Sequence, residues 1–218
     1  MILLNPRLDY QIDEEVRDKN GRFLGAKITL DDCQIVLANV YAPNDINQQV
    51  LFFKELQKLL GKFAQEMMII GGDFNCALSP SDKEGGNPTS KKLPVISEID
   101  NLCHLYSLCD VWRFLNPNAR LFTWRNKSFK VQCRLDYFLV SKQLSSTTIN
   151  SDILFAPETD HSAIHLHLLS EDLKQQKGPG FWKFNSSLLE DKQYISDLRD
   201  NLIHFIEKYR DVDRKSVV

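Results

Sequence analysis

Asp73 and Asn75 stand two residues apart at the end of an apolar run, Met67 to Asn75 (MMIIGGDFN). In an extended chain that spacing turns both side chains to one side while Phe74 turns back toward packing, and Gly71 and Gly72 let the backbone bend or approach a ligand closely. A carboxylate can take a proton or hold a hard cation, and the amide beside it can orient water or a phosphoryl oxygen. The plain structural alternative is an Asx turn closing a buried strand. The pair therefore needs company from elsewhere in the chain.

Tyr41 and Asn44, in VYAPN, offer a phenol and an amide that can donate to an anionic oxygen; a turn with a partly buried tyrosine accounts for them equally well. Asp136 lies in RLDYFLV, otherwise apolar, where a carboxylate is costly unless paired. Its partner is Arg134 or a histidine, and the favoured one is His161 in Thr159-Asp160-His161-Ser162. An aspartate accepting from Nδ1 fixes the imidazole tautomer and leaves Nε2 facing a substrate, while the adjacent Asp160 can bind a cation or hold water. His161, His165 and His167 recur at strand period, but zinc sites need further Cys, His or carboxylate ligands at set spacing, and none is evident.

A second signal runs from Val111 to Leu135. Arg113, Arg120, Arg125, Lys127, Lys130 and Arg134 alternate there with Trp112, Phe114, Phe122, Trp124 and Phe129, without an acidic residue. Cations neutralise phosphates and rings stack on bases and sugars, although a solvated basic face over core aromatics has the same composition.

These groups require elements to position them. Phe23 to Leu30 and Cys33 to Tyr41 read as adjacent antiparallel strands about Asp31-Asp32. The opening Met1 to Pro6 reads as a further strand, entered in its middle. Apolar residues at Val50, Phe53, Leu56, Leu60 and Phe63, and again at Ile96, Ile99, Leu102, Cys103 and Tyr106, step by three or four and predict two amphipathic helices. Ser79 to Lys92 is a polar surface loop directly after Asn75, and such loops border sites. Short strands are expected at Leu121 to Trp124, Cys133 to Val140, Ile153 to Phe155 and His161 to Leu169. This order predicts an α/β (α+β) sandwich of largely antiparallel sheets. The domain spans 1–169, a linker 170–186, and a helical segment 187–218 begins at the Ser187/Glu190 capping-box spacing and carries Leu198, Leu202, Phe205 and Tyr209.

The 218 residues, 43% hydrophobic, suffice for one core and an appended segment. Five cysteines without a CxxC pair indicate neither a disulfide framework nor a thiolate knuckle and fit a reducing compartment. The sequence lacks the pattern of a secretory signal or a membrane span, so a nuclear or cytoplasmic protein is expected. A net charge of −2 argues against whole-molecule capture of nucleic acid and leaves room for a local basic face.

YAPN, GGDFN, FTW, RLDYFLV and TDHSA together, in that order, resemble the endonuclease/exonuclease/phosphatase superfamily over Met1 to Leu169, most nearly the apurinic-like endonuclease domain of LINE-type retrotransposon proteins. GPGFWKFNSSLL, Gly178 to Leu189, is similar to the connector that precedes the reverse transcriptase in those polyproteins. The resemblance implies a four-layered α/β sandwich, Mg²⁺ or Mn²⁺ as cofactor and DNA as partner, with a reverse transcriptase further along the full element. It implies that Asp73 orients or deprotonates water, Asn75 positions it, and Tyr41 contacts the phosphate. His161, steadied by Asp136, would stabilise charge on the phosphate, and Asp160 would belong to the metal site. Asn44, Thr123, Trp124, Arg125, Lys127, Lys130, Arg134 and Thr159 would form the nucleic-acid side.

Two motifs of that superfamily do not occur in this sequence: an opening strand bearing an Asn, and a strand ending in Gln-Glu-Thr whose Glu binds the metal. Asp9, Asp13, Glu14 and Glu15 are the only early acids, and LDYQIDEEV does not match. The expectation is a fold incomplete at its N-terminus and a nuclease of little or no activity. A silent nucleic-acid-binding remnant, a small-molecule phosphatase and a scaffold built on the C-terminal helix remain as alternatives.

Overall fold

The computed structural model describes residues 1–30, 33–86, 89–156, 159–169 and 192–209. The chain divides into two units, 1–175 and 176–218. Among its described residues the first carries eleven strands: β1 (Tyr10–Arg17), β2 (Phe23–Leu30), β3 (Cys33–Tyr41), β4 (Met68–Asp73), β5 (Lys83–Glu84), β6 (Leu108–Asp110), β7 (Trp124–Arg125), β8 (Gln132–Cys133), β9 (Asp136–Ser141), β10 (Thr148–Leu154) and β11 (Ala163–Leu168). Its helices are α1 (Ile46–Leu60), α2 (Leu93–Leu105), α3 (Val111–Leu115) and α4 (Lys142–Ser145), and the second unit contains α5 (Lys192–Tyr209).

A six-stranded sheet, β1-β2-β3-β4-β9-β6, is the frame of the molecule. All its pairings are antiparallel except β3 with β4, which α1 connects. Alternation along β3 and β4 sends Val36, Ala38, Val40, Met68 and Ile70 to one face, where Phe53, Leu56 and Leu60 of α1 and Val95, Ile99 and Leu102 of α2 cover them. Full burial of a side chain such as Phe53 contributes roughly 2–3 kcal/mol. The opposite face of the sheet, with Leu37, Ile69 and Phe138, shares a groove with Ala163 and Ile164 of β11. The β10–β11 ribbon and a small β5-β8-β7 sheet complete a mixed α/β sandwich.

The β2–β3 hairpin, both long helices and β11 lie where the sequence predicts them, whereas the expected Cys133–Val140 strand divides into β8 and β9 of different sheets, the Leu121–Trp124 strand shifts to β7, and β10 begins five residues before Ile153. The Asp31-Asp32 turn, the linker and the Ser187/Glu190 box fall outside the described residues. Met1 to Pro6 forms no strand. No neighbour pairs with it among the described residues, so its backbone gains no ladder; Ile2 is half-buried while Met1 and Leu3 are exposed. In its place β1, unforeseen, pairs along the length of β2. It is polar, mostly exposed and bulged between Ile12 and Glu14, as suits the charged edge of a sheet. None of the described helices is long and apolar enough to cross a membrane.

Candidate active site

Three strand ends build the site. Parallel register sets Tyr41 of β3 beside Asp73 of β4, and antiparallel register sets Asp73 beside Asp136 of β9. The glycines before Asp73 are required: a Cβ on Gly71 would come within 2.5 Å of the Phe138 ring, and one on Gly72, whose φ is +138°, within 2.1 Å of the Val40 carbonyl oxygen.

Beyond Asp73 the chain turns sharply. Asn75 has a φ of 50°, and its N–H donates to Asp73 Oδ1 at 2.8 Å. Its Nδ2 donates to the Ala42 carbonyl at 2.7 Å, and the bond to Asp73 is the Asx turn that the sequence offered. His161 reaches the group from a bridge with Trp124 just before β11, and its Nδ1 lies 2.9 Å from Asp136 Oδ2. Arg134, the other partner considered for Asp136, is elsewhere.

Thr123 is fully buried beneath this pair and accepts from the N–H groups of Leu135 and Asp136, each at 2.9 Å. It positions Asp136 and has no surface to offer a nucleic acid. Thr159 closes a local turn, accepting from the His161 N–H at 2.9 Å. Asp160 accepts from the Trp124 indole at 3.1 Å.

Burial pushes the Asp73 carboxyl up to about 6, opposed by the Asn75 N–H and reinforced by Asp136. Burial likewise raises Asp136, against the opposing pull of Thr123 and His161. A carboxylate near 6 is well placed to accept a proton at neutral pH. One ligand atom each from Asp73, Asp136 and His161 lies within 4.8 Å of the others, an acidic set that can hold a metal ion.

Tyr41, Asn44, Asp73, Asn75, Trp124, Asp160 and His161 all face one cleft of about 410 Å³. Lys83, Lys92, Cys133 and Leu135 also line it and were not anticipated. The polar loop from Ser79 to Lys92 was the signal for the two lysines. A second cleft, of about 820 Å³, continues past Trp124 and Asp160 to Lys127 and Phe129 on the β7–β8 turn. Lys127 and Lys130 are exposed there.

Three cations of the basic stretch are internal ties: Arg113, which pairs with Asp82 and three nearby carbonyls, and the two that were expected to face a nucleic acid. Arg134 is 1% exposed; its Nε donates to Asp82 at 2.7 Å and its Nη2 to Asp110 at 2.5 Å, between the rings of Trp112 and Tyr137. Although burial alone would raise Asp82, Arg134 and Arg113 hold its carboxyl below the usual range. Arg125 is 6% exposed and spends its guanidinium on Ser162, Ala156 and Thr159. Both were expected on the nucleic-acid side; both are internal ties, because the acids and carbonyls that satisfy them are distant in sequence.

A largely antiparallel α/β sandwich with Asp, Asn and an Asp–His pair at adjoining strand ends defines a class of nucleases and phosphatases. The chain belongs to the Endonuclease/Exonuclease/phosphatase family, which it matches over residues 3–179. It is 33% identical over 184 residues to the transposon TX1 uncharacterized 149 kDa protein of Xenopus laevis. That match covers 83% of this chain and spans only 14% of the relative's length.

Among solved structures it superposes on an AP endonuclease from Archaeoglobus fulgidus with a TM-score of 0.61 at 17% identity, covering 74% of this chain and 72% of that one. An AP endonuclease from Leishmania major gives 0.61 at 19%, covering 68% and 55%. A 3′ phosphatase from Neisseria bound to a product DNA hairpin gives 0.57 at 18%, covering 74% and 71%. These likenesses establish the fold, and the superfamily is generally dependent on divalent metals.

Proposed function

We propose that this chain is the DNA endonuclease part of a retrotransposon-derived protein, a phosphodiester hydrolase using Mg²⁺ or Mn²⁺, and that these 218 residues taken alone act weakly. The observation that carries this reading is His161, held by Asp136 at 2.9 Å and lining the same cleft as Asp73 and Asn75. In-line attack on a phosphodiester needs a proton acceptor, positioned water and stabilisation of growing negative charge. Asp73 accepts the proton of the attacking water. Asn75, with Nδ2 tied to Ala42, turns its Oδ1 to hold that water. Asp136 fixes His161 so that Nε2 meets a phosphoryl oxygen, and the Tyr41 hydroxyl donates to the same group.

The donors fit a hard cation: Asp73 and Asp136 offer carboxylate oxygens beside His161, and Asp160 lines the same cleft as Asp73. When bound, it would neutralise charge on the phosphate and leaving oxygen. The sequence holds neither the Gln-Glu-Thr motif nor the Asn strand, and a Mg²⁺ site relies on few protein ligands. Weak metal retention and slow turnover are expected of these residues taken alone. Exposed Lys127 and Lys130, with half-buried Trp124, would take the DNA backbone, and residues 187–218 would lead to a reverse transcriptase in the full-length element.

The test pairs two measurements on the full chain. Fluorescence anisotropy with duplex DNA is expected to show binding that weakens with salt, and its absence would overturn the reading. Supercoiled plasmid with Mg²⁺ is expected to show at most trace nicking; robust nicking that Asp73→Ala abolishes would instead restore a full enzyme.

A further inference from the structure

Lys92 sits at the N-cap of α2 and reaches back under the site. Its Nζ donates to Gln49 Oε1, to the Asn44 carbonyl at 3.3 Å and to the Asn75 carbonyl at 3.4 Å. Those acceptors belong to α1, the β3–α1 loop and the end of β4. One ammonium group thus ties together three segments, two of which carry side chains of the cleft.

Gln49 completes the brace. It is fully buried, and its Nε2 donates to the carbonyls of Asn75 at 3.0 Å and Phe74 at 3.4 Å. The Asn75 carbonyl is therefore held from two sides at the residue whose φ of 50° an L-amino acid seldom adopts.

The acceptors of Lys92 are all uncharged, and no ion pair among the described residues includes it. Burial lowers its pKa, while Cys76 and the Asp45 carboxylate pull the other way from beyond ion-pair contact. A half-buried cation in no ion pair, lining a cleft, has its charge available to an anion that enters.

We propose that Lys92 is a positioning residue of this site, bracing Asn44 and Asn75 from behind and directing an unpaired positive charge at the bound phosphodiester. The first half stands on the free protein. The second rests on the DNA reading above.

The experiment compares the full chain with Lys92→Met and Lys92→Gln, using the exposed turn lysine Lys19→Met as a control. NMR side-chain amide signals of Asn44 and Asn75, read without DNA, are expected to shift in both Lys92 variants and to stay fixed in the control. Amide signals that stay fixed in folded Lys92 variants would overturn the positioning role.

With a phosphorothioate duplex in EDTA, Lys92→Met is expected to bind several-fold more weakly. Its log-affinity against log-salt slope should be shallower by about 0.9 than that of the parent chain. An unchanged slope in a chain that binds DNA overturns the charge role; a parent chain that binds no DNA strikes the DNA reading and leaves the amide test standing. Should the variants fail to fold, the Lys92 Cε signal of the parent chain is followed as duplex is added. A shift supports the proposal and a static signal in bound protein overturns it.

Discussion

Asp73 and Asp136 are direct cross-strand partners at the ends of β4 and β9. Burial is the main cause that raises Asp73 from 3.8 to about 6, and the like charge of Asp136 opposite it adds to the effect. The pair is tolerated because Thr123, His161 and the Asn75 N–H each oppose part of the repulsion.

The first prediction is a pH-dependent stabilisation. Because the folded-state pKa of Asp73 is raised, the folded chain binds the extra proton. Its stability is fullest below about 3.8 and declines as pH rises through about 6. Asp73→Asn removes the ionisation. After discounting for partial solvent screening, it should gain about 1–2 kcal/mol at pH 8, or roughly 2–6 °C in Tm, and nearly nothing near pH 3.5. Thermal melts of both chains across that range check it, and an equal gain at both ends would sink the electrostatic account.

Arg134→Met should be severely destabilising without touching DNA affinity. It leaves Asp110 and part of Asp82 buried without their charge partner, a loss of about 3–5 kcal/mol. Adding Asp82→Asn should recover part of that loss. Chemical denaturation measures the stabilities, and anisotropy at a temperature where the variant is folded measures binding. A folded Arg134→Met that loses DNA affinity would return this arginine to the surface role first expected of it.

These two cases show how legible the molecule was. Hydrophobic period alone located β2, β3, β4, α1 and α2, because each packs one face on a single core. The Asp136–His161 pairing was legible from cost: an aspartate amid RLDYFLV demands a partner. Arg134 and Arg125 misled because charge composition reads as surface, and their satisfying partners are 52 residues away at Asp82 and 37 residues away at Ser162. Strand β1 was illegible for a related reason. Its pairing with β2 outweighs a polar sequence with no apolar alternation. Gln49 could have been noticed, since it falls on the apolar stripe of α1, four residues before Phe53.

Thr123 offers a test of positioning. Its Oγ1 accepts from two backbone N–H groups flanking the turn into β9. Thr123→Val preserves shape and strands both donors in a buried place, which should cost about 1–3 kcal/mol, whereas Thr123→Ser keeps the acceptor and should cost less. Amide exchange at Leu135 and Asp136 reports the effect directly: faster in the valine variant and near parent rates in the serine variant. Equal exchange in both would show that the hydroxyl does not hold this turn.

The β7–β8 turn should supply affinity and no stability. Lys127 and Lys130 are exposed, flanking exposed Phe129 at a φ of 56°, and Lys127 and Phe129 line the cleft that adjoins the site past Trp124. Neither lysine has an ion-pair partner among the described residues, so removing them unsettles nothing in the fold; surface changes of this kind stay within about 0.5 kcal/mol. Each phosphate that a lysine no longer neutralises flattens the salt dependence by about 0.9, so Lys127→Ala with Lys130→Ala should reduce the log–log slope by about 1.8. Anisotropy against salt concentration reads the slope and thermal melting reads the stability. A slope unchanged by the double substitution would remove this turn from the DNA-facing surface and leave Trp124 and Lys92 to define it.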